Sequence, residues 1–310
     1  MKIGFLYAGQ GSQFEQMGKG LYETQPVFKQ TFDAVDPTGE IKQLCFEENL
    51  AELSKTVNTQ PCMVAFAVAI TNMLDSMGVK PDMVAGLSLG EYSALHCAGV
   101  FSDKQAVDLV AFRGKEMESA SKGLDCKMMS ILGLSRELLE QACKQASRVG
   151  VVSIANYNSP AQLVIAGETE ACQKAADFAI EYGARRALKL NVSGPFHTEL
   201  MKPAGDALEK RFATEDFSDM KIPVVFNSLG KEKAPEDNIK DILVKQVQSS
   251  VYFEDSIRYM IKEGVDTFIE IGGGKVLSSF VKKVSESVET YAVYDVKTLE
   301  DTINHLKGDS

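Results

Sequence analysis

Along this chain, short β-branched or aromatic runs alternate with longer stretches whose apolar positions recur every three to four residues. The short runs at residues 2–8, 83–87, 221–227, 267–271 and 291–296 read as strands. Helical periodicity fills segments between them, at 61–77, 89–98, 103–121 and 275–284. Such alternation predicts a mostly parallel sheet with helices on both faces. The middle of the chain has a different rhythm. A strand at 127–132, a helix at 135–147, strands at 151–155 and 162–167, a helix at 169–182 and a strand at 187–192 follow one another. That βαββαβ order is the ferredoxin-like pattern. It predicts a small α+β subdomain over 126–193 inserted into an α/β domain formed by 1–125 and 194–310.

Composition narrows what such a fold does. The chain has 310 residues, 45% of them apolar, which is ample for a core and excludes overall disorder. Its 33 Lys+Arg against 43 Asp+Glu leave a net charge of -10. That balance argues against nucleic acid, whose phosphates need concentrated basic residues, and against an anionic membrane surface. The longest apolar run, 62–70, falls well short of the ~20 residues a bilayer demands. The N-terminus does not read as a signal peptide. Cysteines at 45, 62, 97, 126, 143 and 172 show no CxxC and no clustering. The scatter fits reduced thiols in a cytoplasmic protein, with neither a disulfide framework nor a metal site.

Gly86-Leu87-Ser88-Leu89-Gly90 matches G-x-S-x-G between an expected strand and an expected helix. A nucleophile elbow needs that setting, a sharp turn that lifts the serine oxygen with small residues on either side. The pattern by itself also fits a serine in an ordinary Gly-rich turn. A serine needs a base, and only three histidines are available. His96 follows on the same expected helix, about two turns past the elbow, and points away. His305 falls in an amphipathic terminal helix at 298–306. His197 sits in Ser193-Gly194-Pro195-Phe196-His197, a Gly-Pro loop after a strand end, and is the favoured base.

On the helix at 103–121, Ala106, Val110, Arg113 and Met117 share one face. An arginine in an apolar stripe needs an anion. An internal salt bridge would satisfy it, and so would the carboxylate of a substrate acyl group held bidentately.

Two Gly-rich segments are not nucleotide sites. Gly9-Gln10-Gly11-Ser12-Gln13 lacks the third glycine of a dinucleotide fingerprint, Phe14 standing there. Gly272-Gly273-Gly274-Lys275 lacks both the P-loop spacing and its Ser/Thr, Val276 following. Residues 9–13 are left as a tight turn at a sheet's C-terminal edge. It forms a candidate half of an oxyanion hole whose other half is the Leu89 N–H.

Together these segments resemble the malonyl-CoA:acyl carrier protein transacylases. The match is carried by GQGSQ at 9–13, GLSLGEYSAL at 86–95, Arg113-Gly114, GPFHT at 194–198, NTQP at 58–61, NYNSPAQ at 156–162, Gln246 in LVKQ and EIGGGKVL at 270–277. It spans residues 3 to 284 with the motifs in family order. The resemblance implies an α/β fold, a mostly parallel sheet with helices on both faces (an α/β-hydrolase-like core) plus the inserted ferredoxin-like subdomain, with the active site between the two. It implies that Ser88 takes malonyl as an ester and that His197 is its base. It further implies that the Gln246 carbonyl holds the histidine tautomer, that Gln10 and Leu89 supply oxyanion N–H groups, and that Arg113 clamps the malonyl carboxylate. Phe196 is similar to the bulky residue of malonyl-selective members. No cofactor and no metal are implied. The implied partners are malonyl-CoA and holo-acyl carrier protein, met by a cytoplasmic monomer that binds neither nucleic acid nor membrane. Leu87 departs from the family's usual His before the serine, and Ala8 from its usual Pro.

Two other functions share parts of this pattern. A discrete acyltransferase loading polyketide carrier domains would use the same residues. An α/β-hydrolase-type esterase or thioesterase would instead place its base near the C-terminus, at His305. Because acyl carrier proteins are acidic, a chain of charge -10 needs a local basic patch to dock one. Arg185, Arg186 and Lys189, or Lys282 and Lys283, are the candidates.

Overall fold

The computed structural model describes residues 1–308. Their strands are β1 (Ile3–Tyr7), β2 (Met83–Gly86), β3 (Cys126–Leu132), β4 (Val152–Ser159), β5 (Gln162–Glu168), β6 (Arg186–Lys189), β7 (Val224–Val225), β8 (Thr267–Ile271) and β9 (Glu289–Val293). Two sheets result, one ordered β7-β2-β1-β8-β9 and one ordered β4-β5-β3-β6. The chain divides into two compact units. The first takes Met1–Gly114, Phe217–Val225 and the chain from Met260 onward; the second takes Lys115–Asp216 and Phe226–Tyr259.

The first unit holds the five-stranded sheet, parallel at every pairing. β8 is buried at all five positions and β1 at four, the continuous burial a parallel sheet covered on both faces imposes. The strand order reverses at β1, which runs beside β2 on one side and β8 on the other. The C-terminal ends of strands flanking such a reversal are where open α/β sheets bind ligands. Here those ends lead into the turn at 9–13, the Ser88 turn and the loop Gly272–Gly274.

The helix Thr56–Ser76 is long and apolar enough to cross a membrane, but 83% of its most apolar window is buried inside this fold. It is a core helix, apolar all round because it is covered all round. It begins at Thr56, a turn and more before the start expected at Pro61. Burial of Thr56, Thr59 and Gln60 holds the extra turn despite the missing proline N–H. β9 also differs from the strand expected at 291–296. It ends at Val293 because Asp295 and Thr298 form a capping box that opens the helix Val296–Lys307. The run expected at 221–227 keeps only two strand residues, Val224 and Val225.

The second unit carries the antiparallel sheet, and its βαββαβ order and strand neighbours are those of a ferredoxin-like subdomain. The helices Arg136–Ala146 and Thr169–Glu181 lay Leu139, Ala142, Ala175 and Ala179 into one cluster with Ile131 and Ile165. The unit is wider than the insert expected at 126–193. Val251 exchanges backbone hydrogen bonds with Ala155 and Tyr157 beside β4, both at 2.8 Å. Arg136 holds Glu254 and Asp255 at 3.0 and 2.8 Å. These ties draw the later helices into the same unit.

One buried carboxylate secures the end of β8. Glu270 accepts from Leu277 N at 3.0 Å and from both the N–H and hydroxyl of Ser278 at 2.7 Å. It thereby satisfies the first N–H groups of the helix Val276–Val284. Burial raises its pKa against the opposing pull of those donors. Glu270→Ala strands those donors and is expected to lower the unfolding free energy by about 1–3 kcal/mol. Urea denaturation reads this as a lower midpoint, and an unchanged midpoint would contradict the capping role.

Candidate active site

Ser88 leaves the end of β2 at φ 54°. Gln16, Ser88 and His197 are the non-glycine residues with positive φ among those described. For a side chain with a Cβ that conformation is strained, so surrounding structure must impose it. The imposing contacts are backbone to backbone. A Cβ on Gly86 would strike the backbone of Gly90 and Glu91, and one on Gly90 would strike the carbonyl of Tyr7. Leu87 N donates to that same Tyr7 carbonyl at 2.9 Å. The helix Gly90–Cys97 is thus pressed against the end of β1, and the turn before it has no room except with Ser88 lifted. The expected strand–elbow–helix is the observed one.

Arg113 is fully buried on the helix Asp103–Ser121, and Ala106, Val110 and Met117 on the same face are buried with it. Its Nη2 donates to Ser88 Oγ at 3.1 Å and its Nη1 to Gln60 Oε1 at 2.8 Å. The guanidinium also lies 5.7 Å from the Tyr92 ring centroid. Burial lowers its pKa, while the nearby Tyr92 and Glu91 raise it. The structure therefore brings a desolvated cation to the hydroxyl of the elbow serine.

The turn at 9–13 is pinned by side-chain amides. Gln10 Nε2 donates to Thr56 Oγ1 at 3.2 Å, Gln13 Nε2 to Ser54 Oγ at 3.0 Å, and Gly11 N to Gln13 Oε1 at 2.7 Å. Gly9 has no room for a Cβ because the Leu87 carbonyl lies 2.8 Å from where it would stand. Leu89 is the N-cap of the helix Gly90–Cys97, where N–H groups lack intrahelical acceptors.

The second unit shapes His197 separately. It is buried, at φ 61°. The loop before it turns tightly: a Cβ on Gly194 would collide with Ser121 Oγ, and Thr198 Oγ1 donates to the Pro195 carbonyl at 2.6 Å. His197 Nδ1 donates to the carbonyl of Gln246 at 2.9 Å. A carbonyl can only accept, so Nδ1 carries the proton and Nε2 keeps a lone pair for base work. Gln246 lies in the last turn of the helix Ile239–Val247, whose carbonyls lack intrahelical partners and carry the negative end of the dipole. That polarity favours a positive imidazolium.

The other histidines sit elsewhere. His96 is paired with Asp103 at 2.7 Å, and His305 is exposed with its ring centroid 4.4 Å from that of Tyr291, the two rings tilted. Sequence reasoning gave no role to Gln60, although the NTQP run contains it. No signal in the sequence pointed to it, because the helix was expected to start only at Pro61; the structure puts Gln60 in that helix and buries it. Burial pushes the Cys97 thiol up to about 11, so it is protonated at neutral pH and does not compete as a nucleophile. Among the described residues no three His, Cys, Asp or Glu side chains are grouped to hold a metal ion.

Residues 4–300 match the acyl transferase domain family. The chain is 45% identical to a malonyl CoA-acyl carrier protein transacylase of Bacillus subtilis (strain 168), covering all of this chain and 98% of that one. It is similar in structure to a malonyl CoA-acyl carrier protein transacylase from Clostridium perfringens, with TM-score 0.95 and 40% identity over 99% and 98% of the two chains. A malonyl-transacylase in complex with a type II PKS acyl-carrier protein matches with TM-score 0.94 and 38% identity, over 99% of this chain and 100% of that one.

The strain at Ser88 is measurable apart from chemistry. Ser88→Gly and Ser88→Ala both lack the hydroxyl, but glycine accepts φ 54° and alanine does not. The glycine variant is expected to be more stable than the alanine variant by about 1 kcal/mol. Equal urea midpoints would show that the elbow backbone is unstrained.

Proposed function

The chain belongs to the acyl transferase domain family, and from that premise we propose that it transfers malonyl from malonyl-CoA to the phosphopantetheine thiol of holo-acyl carrier protein, in fatty acid biosynthesis. The observation that carries this reading is the buried Arg113 guanidinium, 3.1 Å from Ser88 Oγ. An acyl group esterified at that oxygen and ending in a carboxylate has a cation within reach of its free end.

Ser88 Oγ attacks the thioester carbonyl of malonyl-CoA, and His197 Nε2 takes the hydroxyl proton. The tetrahedral oxyanion is held by the backbone N–H groups of Gln10 and Leu89, each worth on the order of 3 kcal/mol. The C–S bond breaks, His197 returns the proton to the coenzyme A sulfur, and malonyl is left as an ester on Ser88. The second half runs in reverse. The carrier thiol loses its proton to His197 and attacks the ester, and Ser88 leaves as the alcohol with the proton restored. Through both halves the Gln246 carbonyl keeps Nδ1 protonated and supports the imidazolium, the part a carboxylate takes in Ser-His-Asp triads. Throughout, Arg113 orients the malonyl carboxylate so that the thioester meets Ser88 in one pose. No cofactor enters these steps.

For carrier docking, Arg185, Arg186 and Lys189 are exposed at and beside β6, an edge strand of its sheet. Lys282 is a weaker candidate because its Nζ is spent on the Val288 carbonyl at 2.6 Å. Six unbridged cysteines, four of them buried, suit a reducing cytoplasm. The acidic balance speaks against nucleic acid and an anionic membrane surface, and nothing in the sequence demands more than a monomer. The polyketide-system complex among the solved relatives keeps a second carrier in view, and a panel of carrier proteins separates the two pathways.

Intact mass spectrometry after mixing with malonyl-CoA is expected to find one malonyl group on the wild type and none on Ser88→Ala. An adduct that survives in Ser88→Ala would overturn the assignment. Arg113→Ala is expected to lose malonyl transfer by on the order of a hundredfold while gaining relative activity on acetyl-CoA. An unchanged malonyl-to-acetyl ratio would remove Arg113 from substrate recognition.

A further inference from the structure

Two hydrogen-bonded clusters tie together the same three segments of the first unit. At the catalytic end, Arg113 joins Ser88 and Gln60. At the opposite ends of those segments, Asp103 joins His96 and Asn72. His96 Nε2 donates to Asp103 Oδ1 at 2.7 Å, and Asn72 Nδ2 donates to Asp103 Oδ2 at 2.9 Å. Ser88 precedes the helix Gly90–Cys97 and His96 lies in its last turn, Gln60 and Asn72 lie on the helix Thr56–Ser76, and Arg113 and Asp103 lie on the helix Asp103–Ser121. In both clusters a residue of the last helix is the hub, as a double donor at one end and a double acceptor at the other.

From this double tie we infer that His96 and Asn72, acting through Asp103, are positioning residues that hold Arg113 in place relative to Ser88. The inference rests on the roles given above to Ser88 and Arg113. A helix is stiff over the ~15 Å that separate Asp103 from Arg113, so a shift of its first turn is carried to the guanidinium. The His96 ring is 94% buried while the Asp103 side chain is 40% exposed, so the bond is anchored from its dry histidine side. That bond is the leading cause holding the Asp103 carboxyl below its ordinary range. Packing alone does not substitute for the tie, because a cavity of about 370 Å³ opens beside it, lined by Asn72, His96 and Cys97 among others. Gly114, one residue past Arg113, allows the helix Asp103–Ser121 to lie within a methyl's breadth of Thr56 and Gln60. The two helices are therefore set by close backbone approach near the site and by the carboxylate at the far end.

The role predicts a loss confined to substrates that need both groups. Malonyl must be held at its ester carbon by Ser88 and at its carboxylate by Arg113, whereas acetyl needs only the first. His96→Leu removes the donor to Asp103, while His96→Gln can present an amide N–H where Nε2 stood. Each protein is reacted with malonyl-CoA, the acylated Ser88 fraction is counted by intact mass, and KM and kcat for malonyl-CoA and acetyl-CoA are expressed per titrated site. His96→Leu is expected to raise the malonyl-CoA KM and lower the malonyl-over-acetyl preference about tenfold, with His96→Gln staying within about threefold of wild type. A merely structural role would lower the count of active sites and the melting temperature but leave per-site KM and preference at wild-type values. That result overturns the proposal. Should His96→Leu fail to fold, Asn72→Ala keeps the His96 bond and is read in the same way. A preference shift of about threefold supports the role, and wild-type per-site values overturn it. A wild type that gains no malonyl on Ser88 overturns the underlying assignment and this role with it. A normally acylated wild type whose variants keep wild-type per-site kinetics overturns the positioning role alone.

Discussion

The approach of Gly90 to the carbonyl of Tyr7 is the contact on which the catalytic half of the first unit depends. No Cβ fits between them, and none fits at Gly86 against the backbone of Gly90 and Glu91. Those two absences bring the helix Gly90–Cys97 down onto the end of β1, beside β2, and leave Ser88 its left-handed conformation. Strain of about 1–3 kcal/mol at one residue is tolerable when buried strands and a buried helix determine the turn from both sides. The same β1 end continues into the turn at 9–13, whose own glycine abuts the Leu87 carbonyl. On its other side, the loop after β8 presses Gly273 onto the Ser12 carbonyl. Close backbone approach at consecutive strand ends therefore places the candidate nucleophile Ser88 and the candidate oxyanion donors at one sheet edge. Catalytic groups set on such a frame need little reorganisation during the reaction.

His197 is shaped by an analogous constraint in the second unit, with a different chemical consequence. A positive φ, a preceding glycine pressed on Ser121 and a hydroxyl folded back on Pro195 hold its ring. Its Nδ1 partner is the end of a helix, not a carboxylate. A neutral carbonyl fixes the tautomer as firmly as an aspartate does, and the helix terminus contributes roughly half a charge of the right sign. It does so without burying a full negative charge beside the ring, and for the anionic acyl group of the proposed reaction that economy is favourable, since like charges in a low-dielectric site repel strongly.

Much of this frame was legible in the chain because its demands fall on residue types that few other positions need. Gly-x-Ser-x-Gly after an apolar run, a histidine after Gly-Pro-Phe, and an arginine on an apolar helix face each violate the local pattern, and the structure gives Ser88 and His197 a positive φ and buries Arg113 fully. The βαββαβ rhythm was legible because its strands and helices differ in period, and the antiparallel sheet of the second unit is ordered accordingly. What escaped was whatever depends on contacts distant in sequence. Gln60 stood just ahead of the helix expected at 61–77, with no role of its own, until Arg113 from another helix was placed against it. Glu270 looked like a strand residue, yet it caps the helix after the next loop. Val296 extended the apparent last strand because it is apolar, and only the Asp295–Thr298 capping box shows that a helix starts there. The extent of the second unit was hidden for the same reason, since Val251 joins it by pairing with residues 155 and 157.

The selectivity assigned to Arg113 follows from when its desolvation is incurred. An arginine on the surface must shed water as substrate binds, and that loss offsets most of what the new ion pair gains. Arg113 is stripped of water on folding and donates to the neutral oxygens of Gln60 and Ser88, with the buried Glu91 close enough to favour its charge. Burial accordingly pulls its pKa down, so the folded protein already carries the cost of the cation. In the proposed reaction a carboxylate that arrives with the acyl group recovers part of that cost, and an acyl group without one recovers less. Discrimination in that reaction then comes less from excluding small neutral acyl groups by size, which a pocket does poorly, than from the ion pair that only an anionic acyl group can add. The same reasoning explains why a glutamine suits position 60. A carboxylate there would neutralise the guanidinium permanently and take the place of the substrate's own.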